Sequence, residues 1–112
     1  MREDELKIAK FLLEHVTKEG HCVALFDEEG FVVKSFDPRH LLGNIGDTEV
    51  QQIMIYSIDH GAEPEDHFGT VSLVFGNEPG VLLSDYGTSS KLQGAFDKLM
   101  APVFEYAQTF EE

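Results

Sequence analysis

The sequence is poor in cysteine, tryptophan and basic residues. Its 112 residues include one cysteine, no tryptophan and 8 Lys plus Arg, against 21 Asp plus Glu. A single cysteine cannot form a disulfide within the chain, so a disulfide-stabilised scaffold is excluded. Long hydrophobic runs are also missing, since the longest nearly apolar stretch, residues 53–58, is far shorter than the ~20 residues that a membrane span needs. The acidic residues 1–5 are not typical of a signal peptide, so we expect a cytoplasmic protein without membrane contact.

The scarcity of Lys and Arg argues against nucleic-acid binding. The formal charge is −13 at pH 7 and the isoelectric point is about 4.6. Proteins that bind DNA or RNA neutralise phosphates with clustered basic side chains, whereas those of this chain are scattered from Arg2 to Lys98. We therefore expect no direct binding to nucleic acid or to anionic membranes.

The hydrophobic content is sufficient for a folded core. Hydrophobic residues make up 42% of the chain, and nine of them are phenylalanine. A chain of this length forms one core and one domain. We predict a single acidic α+β domain over residues 1–112.

Hydrophobic periodicity predicts the element order α-β-β-α-β-β-α, with a four-stranded antiparallel sheet covered by helices. The first helix spans residues 3–19, because its apolar residues have helical spacing, its first turn is acidic and Gly20 follows its end. A first hairpin joins residues 22–26 to a strand that starts at Phe31 and ends before Asp37-Pro38. A second hairpin joins residues 71–75 to residues 81–86.

The segment between the two hairpins permits two interpretations. We predict a connecting loop over residues 38–46. Thr48 and Gln51 have capping-box spacing, which favours a second helix that begins at about residue 48 and ends before Gly61. Residues 53–56 form a strand in the alternative interpretation. We predict the helix, because the cap and the glycine give the segment a helix-like length.

The last predicted helix has an apolar stripe that a proline interrupts. The stripe steps by 4, 3, 4, 3 and 4 residues through Leu92, Phe96, Leu99, Val103, Tyr106 and Phe110. Pro102 removes one helical hydrogen bond and crowds the preceding turn, which predicts a kink or a break near residues 99–101. The continued stripe favours the kink.

Possible metal ligands are most concentrated in a loop predicted over residues 61–69 and the residues just before it. Six of the nine residues in the window 59–67 are possible ligands: Asp59, His60, Glu63, Glu65, Asp66 and His67. Their spacing matches neither His-Glu-x-x-His nor an EF-hand loop. We therefore predict no metal and no cofactor, and we retain a small metal-binding protein that uses His60, Glu63, Asp66 and His67 as an alternative.

Catalytic motifs are missing from the sequence. It contains no Gly-x-Ser-x-Gly, no dinucleotide fingerprint and no phosphate loop. His21 and Cys22 are adjacent, but consecutive side chains of a strand point to opposite faces, so we do not expect a nucleophile–base pair. We predict a small buried thiol at Cys22 and, at His15 on the apolar face of the first helix, an imidazole bonded to a backbone carbonyl. No catalytic residue and no enzyme activity are predicted.

The acidic residues collect in predicted turns, loops and chain ends. Such a surface either only promotes solubility or attracts a basic partner. In charge density, small size and lack of catalytic motifs, the sequence resembles the DNA-mimicking phage inhibitors of restriction and CRISPR systems. The resemblance implies an inhibitor that docks on the basic surface of a nucleic-acid-binding protein. The candidate partner-binding residues lie on predicted loops: Asp27, Glu28, Glu29, Glu63, Glu65, Asp66 and Glu78.

An alternative from a different class is a homodimeric structural or adaptor module. It would assemble through a sheet edge or through the last helix. Phe104, and in part Met100, lie off the apolar stripe of that helix, so it has apolar groups on more than one side. Those groups are either buried by the sheet or form an interface.

Overall fold

Three helices and five strands are present in the residues that the structure, a computed structural model, describes: 3–45, 50–56, 67–75, 82–87 and 93–110. The helices are α1 (Glu3–Lys18), α2 (Pro38–Gly43) and α3 (Gln93–Gln108). The strands are β1 (Val23–Asp27), β2 (Gly30–Ser35), β3 (Val50–Tyr56), β4 (His67–Val74) and β5 (Leu83–Gly87). None of the described helices is long and apolar enough to cross a membrane.

The strands form one antiparallel sheet in the order β2-β1-β3-β4-β5. β3 is central, because it pairs with β1 on one side and with β4 on the other. The predicted α+β class and the antiparallel sheet with its helices are confirmed. The predicted order of elements is also present, with one additional strand, so the described sheet has five strands rather than four.

That additional strand, β3, lies where a helix was predicted. Burial alternates along it: Gln51, Ile53 and Ile55 are buried, whereas Gln52 is exposed. The capping-box spacing favours a helix, but residues 52–55 of β3 pair with a strand on each side, and the rest of β3 pairs with β4. This pairing outweighs a local cap signal, because strand preference depends mainly on the neighbouring strands and on burial.

The second helix lies earlier than predicted, in residues 38–43, where a loop was expected. Asp37 is its N-cap and accepts a hydrogen bond from the backbone N–H of Arg39 at 3.0 Å. Pro38 occupies the first helical position, where a missing N–H costs no hydrogen bond. Leu41 is completely buried in the core. The Asp-Pro pair therefore ends β2, as predicted, and also starts α2.

The first helix confirms the prediction, since α1 spans Glu3–Lys18 and buries Leu12 and Val16. It ends in a Schellman motif. Gly20 has a φ of 100°, and its N–H donates to the carbonyl of Thr17 at 3.0 Å. The N–H of His21 donates to the carbonyl of Val16 at 3.1 Å. This turn determines where His21 enters the sheet.

Both predicted hairpins are confirmed. β1 pairs with β2 so that Asp27 lies opposite Gly30, which has a φ of 117°, across the turn formed by Glu28 and Glu29. β4 pairs with β5. β4 begins at His67, so residues 67–69 of the predicted loop belong to a strand.

The described helices all pack on one face of the sheet. The main core joins residues of all three helices to alternate strand residues such as Leu25, Ile53 and Val71. The intervening strand residues belong to the other face. A smaller cluster lies there, formed by Cys22, Ala24, Phe26, Met54 and Tyr56. No described helix covers this second face.

The last helix continues through Pro102, so the chain does not break there, in agreement with the preference for a continuous helix that the apolar stripe indicated. Phe96, Met100 and Val103 are completely buried, and Phe104 is half-buried against the main core. Leu92 of the predicted stripe lies outside the described residues. The apolar side chains on several sides of α3 thus pack in or against the main core.

Gly69 lies against the ring of Phe96, where α3 packs on β4. A Cβ atom at Gly69 would lie 2.3 Å from Cε1 of Phe96, which is far inside contact distance. Phe96 is completely buried, so its ring cannot turn into solvent. We expect Gly69→Ala to lower the free energy of unfolding by about 1–3 kcal/mol, measured by urea denaturation.

Gly94→Ala is the matched control, because nothing lies within 4 Å of a Cβ atom at that position of α3. This change should stabilise the protein by up to about 1 kcal/mol. Combining Gly69→Ala with Phe96→Leu should cost less than the sum of the two single changes, since a smaller side chain leaves room for the methyl group. If the single variant Gly69→Ala had the same urea midpoint as the wild type, this would contradict the close packing of Gly69 against Phe96.

Candidate functional site

The turn between β1 and β2 holds three of the predicted partner-binding residues. Oδ1 of Asp27 accepts a hydrogen bond from the backbone N–H of Glu29 at 2.8 Å. Aspartate stabilises turns in this way by bonding to the backbone two residues further on. Glu28 and Glu29 are exposed. Asp27 therefore stabilises the turn, and the two glutamates are exposed to solvent.

An exposed phenylalanine adjoins this turn. Phe31 lies opposite Phe26 in the hairpin, and the two rings meet edge to face with centroids 5.8 Å apart. Phe31 is 62% exposed. Exposed aromatic rings are frequent anchors of protein interfaces. We name Glu28, Glu29 and Phe31 the turn patch.

Sequence reasoning missed Phe31 as a site residue. Its sequence pattern predicts only the start of an apolar strand. Two signals point to it in retrospect: it directly follows the turn glycine, and its strand, β2, lies at an edge of the described sheet. That β2 is an edge strand is known only from the strand order of the described sheet.

The remaining predicted partner-binding residues, Glu63, Glu65, Asp66 and Glu78, lie outside the described residues. The same holds for most of the proposed metal-binding window, of which only His67, at the start of β4, is described. In the described part of the chain, no group of three or more His, Cys, Asp or Glu residues is placed to hold a metal ion. The alternative of a metal site at residues 59–67 is therefore not tested by the described residues.

A cleft of about 420 Å³ lies between the end of α1, the start of β4 and α3. We name it the histidine cleft. This volume falls in the range of small-molecule binding sites. Ionisable and apolar side chains contribute equally to its lining, which consists of His15, Glu19, His21, Lys98, Phe68, Ala95, Leu99 and Pro102.

His15 bonds to a backbone carbonyl, as predicted. Its Nε2 lies 2.7 Å from the carbonyl oxygen of Leu99. A carbonyl oxygen only accepts, so Nε2 has the hydrogen and donates it. Pro102 has no N–H, so the carbonyl of Lys98, four residues earlier, lacks its usual helical donor. The His15 bond thus joins α1 to α3 in the turn that the proline weakens.

His21 is held from three sides. Only 6% of the residue is exposed, and its Nδ1 donates to the carbonyl of Tyr56 at 2.7 Å. Its ring stacks on Phe68 with centroids 5.0 Å apart. The turn that ends α1 fixes its backbone. In the neutral ring, the proton on Nδ1 leaves a lone pair on Nε2.

Cys22 and His21 lie on different sides of the sheet, as the strand alternation predicts. His21 lines the histidine cleft on the helix side, whereas Cys22 belongs to the cluster on the second face. Cys22 is buried, and its Sγ lies 3.7 Å from the carbonyl oxygen of Ser35. The structure therefore confirms a buried thiol that is not paired with the adjacent imidazole.

Burial raises the pKa of the Cys22 thiol above its usual value of 9.0, although the charge of Lys34 and a backbone hydrogen bond from Val23 act in the opposite direction. A thiol with a raised pKa is protonated at neutral pH. It is a poor nucleophile, because the thiolate is the reactive form.

The raised pKa predicts a loss of stability at alkaline pH. The unfolded thiol loses its proton at a lower pH than the folded thiol does, so ionisation above about pH 9 favours unfolding. We expect the free energy of unfolding to fall as the pH rises through this region, and Cys22→Ala to reduce the slope. Urea denaturation at several pH values measures both. If the free energy of unfolding of Cys22→Ala fell with pH as steeply as that of the wild type, the effect could not be assigned to Cys22.

Comparison with known protein families, curated proteins and solved structures finds no match for this chain. Its function is therefore inferred from the two surfaces described above, the turn patch and the histidine cleft.

Proposed function

We propose that this protein is a non-catalytic interaction module that docks through the turn patch on a basic surface of another protein. The observation that carries the proposal is the composition of the patch: Glu28 and Glu29, both exposed, form the turn that leads into the exposed Phe31. Carboxylates attract Lys and Arg, and an aromatic ring stacks favourably with a guanidinium group. The patch thus combines the two contacts that an arginine-rich surface needs.

The charge of the whole chain supports the same kind of partner. A formal charge of −13 creates a negative potential that accelerates encounter with a basic surface and repels nucleic acid. Proteins that bind DNA or RNA present such basic surfaces. In this proposal the module occupies that surface and blocks it, in the manner of the DNA-mimicking inhibitors that it resembles in composition.

The proposal places the module in the cytoplasm and assigns it no catalytic step. Cys22 is a buried thiol with a raised pKa, which fits a structural role better than a nucleophilic one. An unpaired cysteine is also compatible with a reducing compartment.

A homodimeric adaptor is the second candidate, because two exposed phenylalanines lie at the ends of the edge strand β2. Phe31 is 62% exposed and Phe36 is 61% exposed. Exposed apolar groups along a sheet edge promote association. However, Lys34 lies within this strand, and the register shifts between β1 and β2. Natural proteins use both features to prevent edge pairing, so we rank the dimer below docking. Sedimentation at two protein concentrations distinguishes them.

Reversing the charge of the turn patch tests the docking proposal. The tagged protein and its Glu28→Lys/Glu29→Lys variant are used to capture partners from the native host, and recovery is quantified by mass spectrometry. We expect a basic protein to be recovered with the wild type, about tenfold less with the variant, and less at high salt, because screening weakens exposed charge pairs. Phe31→Ala should weaken capture at both salt concentrations.

Glu14→Lys/Glu105→Lys is the matched control, since it changes the net charge equally at exposed positions on α1 and α3. It should retain the partner. Equal recovery with both charge-reversed variants, or equal loss, would contradict docking through the turn patch. The captured protein should bind double-stranded DNA or RNA, and added nucleic acid should compete with the module for it.

A further inference from the structure

We propose that the histidine cleft binds a free α-amino acid with an apolar side chain. This inference goes beyond docking on a basic partner and uses none of the residues of the turn patch. It is based on three features that face the same cavity: an apolar wall, two side chains of opposite charge, and two imidazoles whose hydrogen positions are determined by backbone carbonyls.

The apolar wall is packed against other rings and suits a small hydrophobic group. Phe68 contacts the ring of His21 at a centroid distance of 5.0 Å and the ring of Phe96 at 5.8 Å. Leu99 and Pro102 complete the wall on the side of α3. The cavity of about 420 Å³ is near the lower end of the range for ligand sites, so its occupant is small.

The two charged side chains favour a ligand that has both a positive and a negative group. Glu19, just beyond α1, and Lys98, on α3, are exposed and line the cleft. A ligand with a single charge would compensate only one of them. An α-amino acid compensates both, with its ammonium group near Glu19 and its carboxylate near Lys98.

The charge of the whole protein favours a zwitterion as a specific ligand. A net charge of −13 repels small anions, and small cations are attracted to carboxylates over much of the surface. A zwitterion has no net charge. It therefore binds with preference only where a positive and a negative group are available together.

The imidazoles provide acceptors for the ammonium group. Nε2 of His15 donates to Leu99 and Nδ1 of His21 donates to Tyr56, so Nδ1 of His15 and Nε2 of His21 are the acceptor nitrogens of the neutral rings. One ring is anchored to α3 and the other to β3. Because the protein already holds both rings, little conformational entropy is lost when a ligand binds.

An ammonium group fits these acceptors better than a metal ion does. Among the described residues, no three His, Cys, Asp or Glu side chains are placed to ligate a metal ion. The carboxyl end of α1, with its partial negative charge, also lies at the cleft. A primary ammonium group donates up to three hydrogen bonds and needs no complete coordination shell, so this field and a few acceptors suffice.

Three probes that share a phenyl group test the proposal. L-Phenylalanine has both charged groups, phenethylamine lacks the carboxylate, and 3-phenylpropionate lacks the ammonium group. Calorimetry measures their affinities, and NMR of the ¹⁵N-labelled imidazoles reports whether they reach His15 and His21. We expect phenylalanine to bind about tenfold more tightly than either analogue and to shift both imidazole signals.

Two single substitutions test separately what Lys98 and Glu19 contribute to binding. Lys98→Met should lower the affinity for phenylalanine to that of phenethylamine without changing the latter. Glu19→Gln should weaken the binding of phenylalanine and of phenethylamine, which keep the imidazole acceptors, and leave the affinity for 3-phenylpropionate unchanged. Both side chains are exposed, so the fold should be retained, and circular dichroism verifies it. Phe31→Ala should bind phenylalanine like the wild type.

Equal affinities of the three probes would overturn the proposal, as would NMR shifts confined to residues outside the cleft. The absence of binding for both phenylalanine and leucine at millimolar concentration would overturn it as well. The docking proposal is tested by a different experiment on different residues, namely capture with the Glu28 and Glu29 variants. Failure of one proposal is therefore distinguishable from failure of the other.

Discussion

The pairing of β3 with strands on both sides is the constraint on which the rest of the structure depends. β3 joins the hairpin of β1 and β2 to the hairpin of β4 and β5. Its side chains and backbone also support both candidate surfaces. Nε2 of Gln51 donates to the carbonyl of Phe26 at 3.1 Å, beside the turn patch. At the other end of the strand, the carbonyl of Tyr56 holds the ring of His21 in the histidine cleft.

The two surfaces lie at opposite ends of β1. His21 precedes the strand, and Glu28 follows it. They also differ in chemistry. The turn patch is exposed, acidic and aromatic, which suits a large basic surface. The histidine cleft is concave, is lined equally by apolar and ionisable side chains and contains one acidic and one basic residue, which suits a small molecule without net charge. A macromolecule on the turn patch and a small ligand in the cleft therefore do not compete for the same residues.

Much of the fold could be predicted from local sequence patterns, and so could some site residues. The α1 helix and both hairpins follow from periodicity and from turn glycines such as Gly20 and Gly30, whose φ values are 100° and 117°. The bond of His15 to a carbonyl was expected because a buried imidazole on an apolar face needs a partner. Its acceptor, Leu99, is 84 residues away in sequence and could not be named from a local pattern.

The acidic charge, the α+β class and the elements whose signals lie within a few residues follow from the sequence alone. Tertiary structure decided that residues 50–56 form a strand, because its two neighbours in the sheet provide hydrogen bonds that no local pattern reveals. It also decided that Phe31 is exposed at an edge while Phe96 is buried against Gly69. The exposure of a side chain depends on which elements pack over it, and the chain order alone does not specify that arrangement.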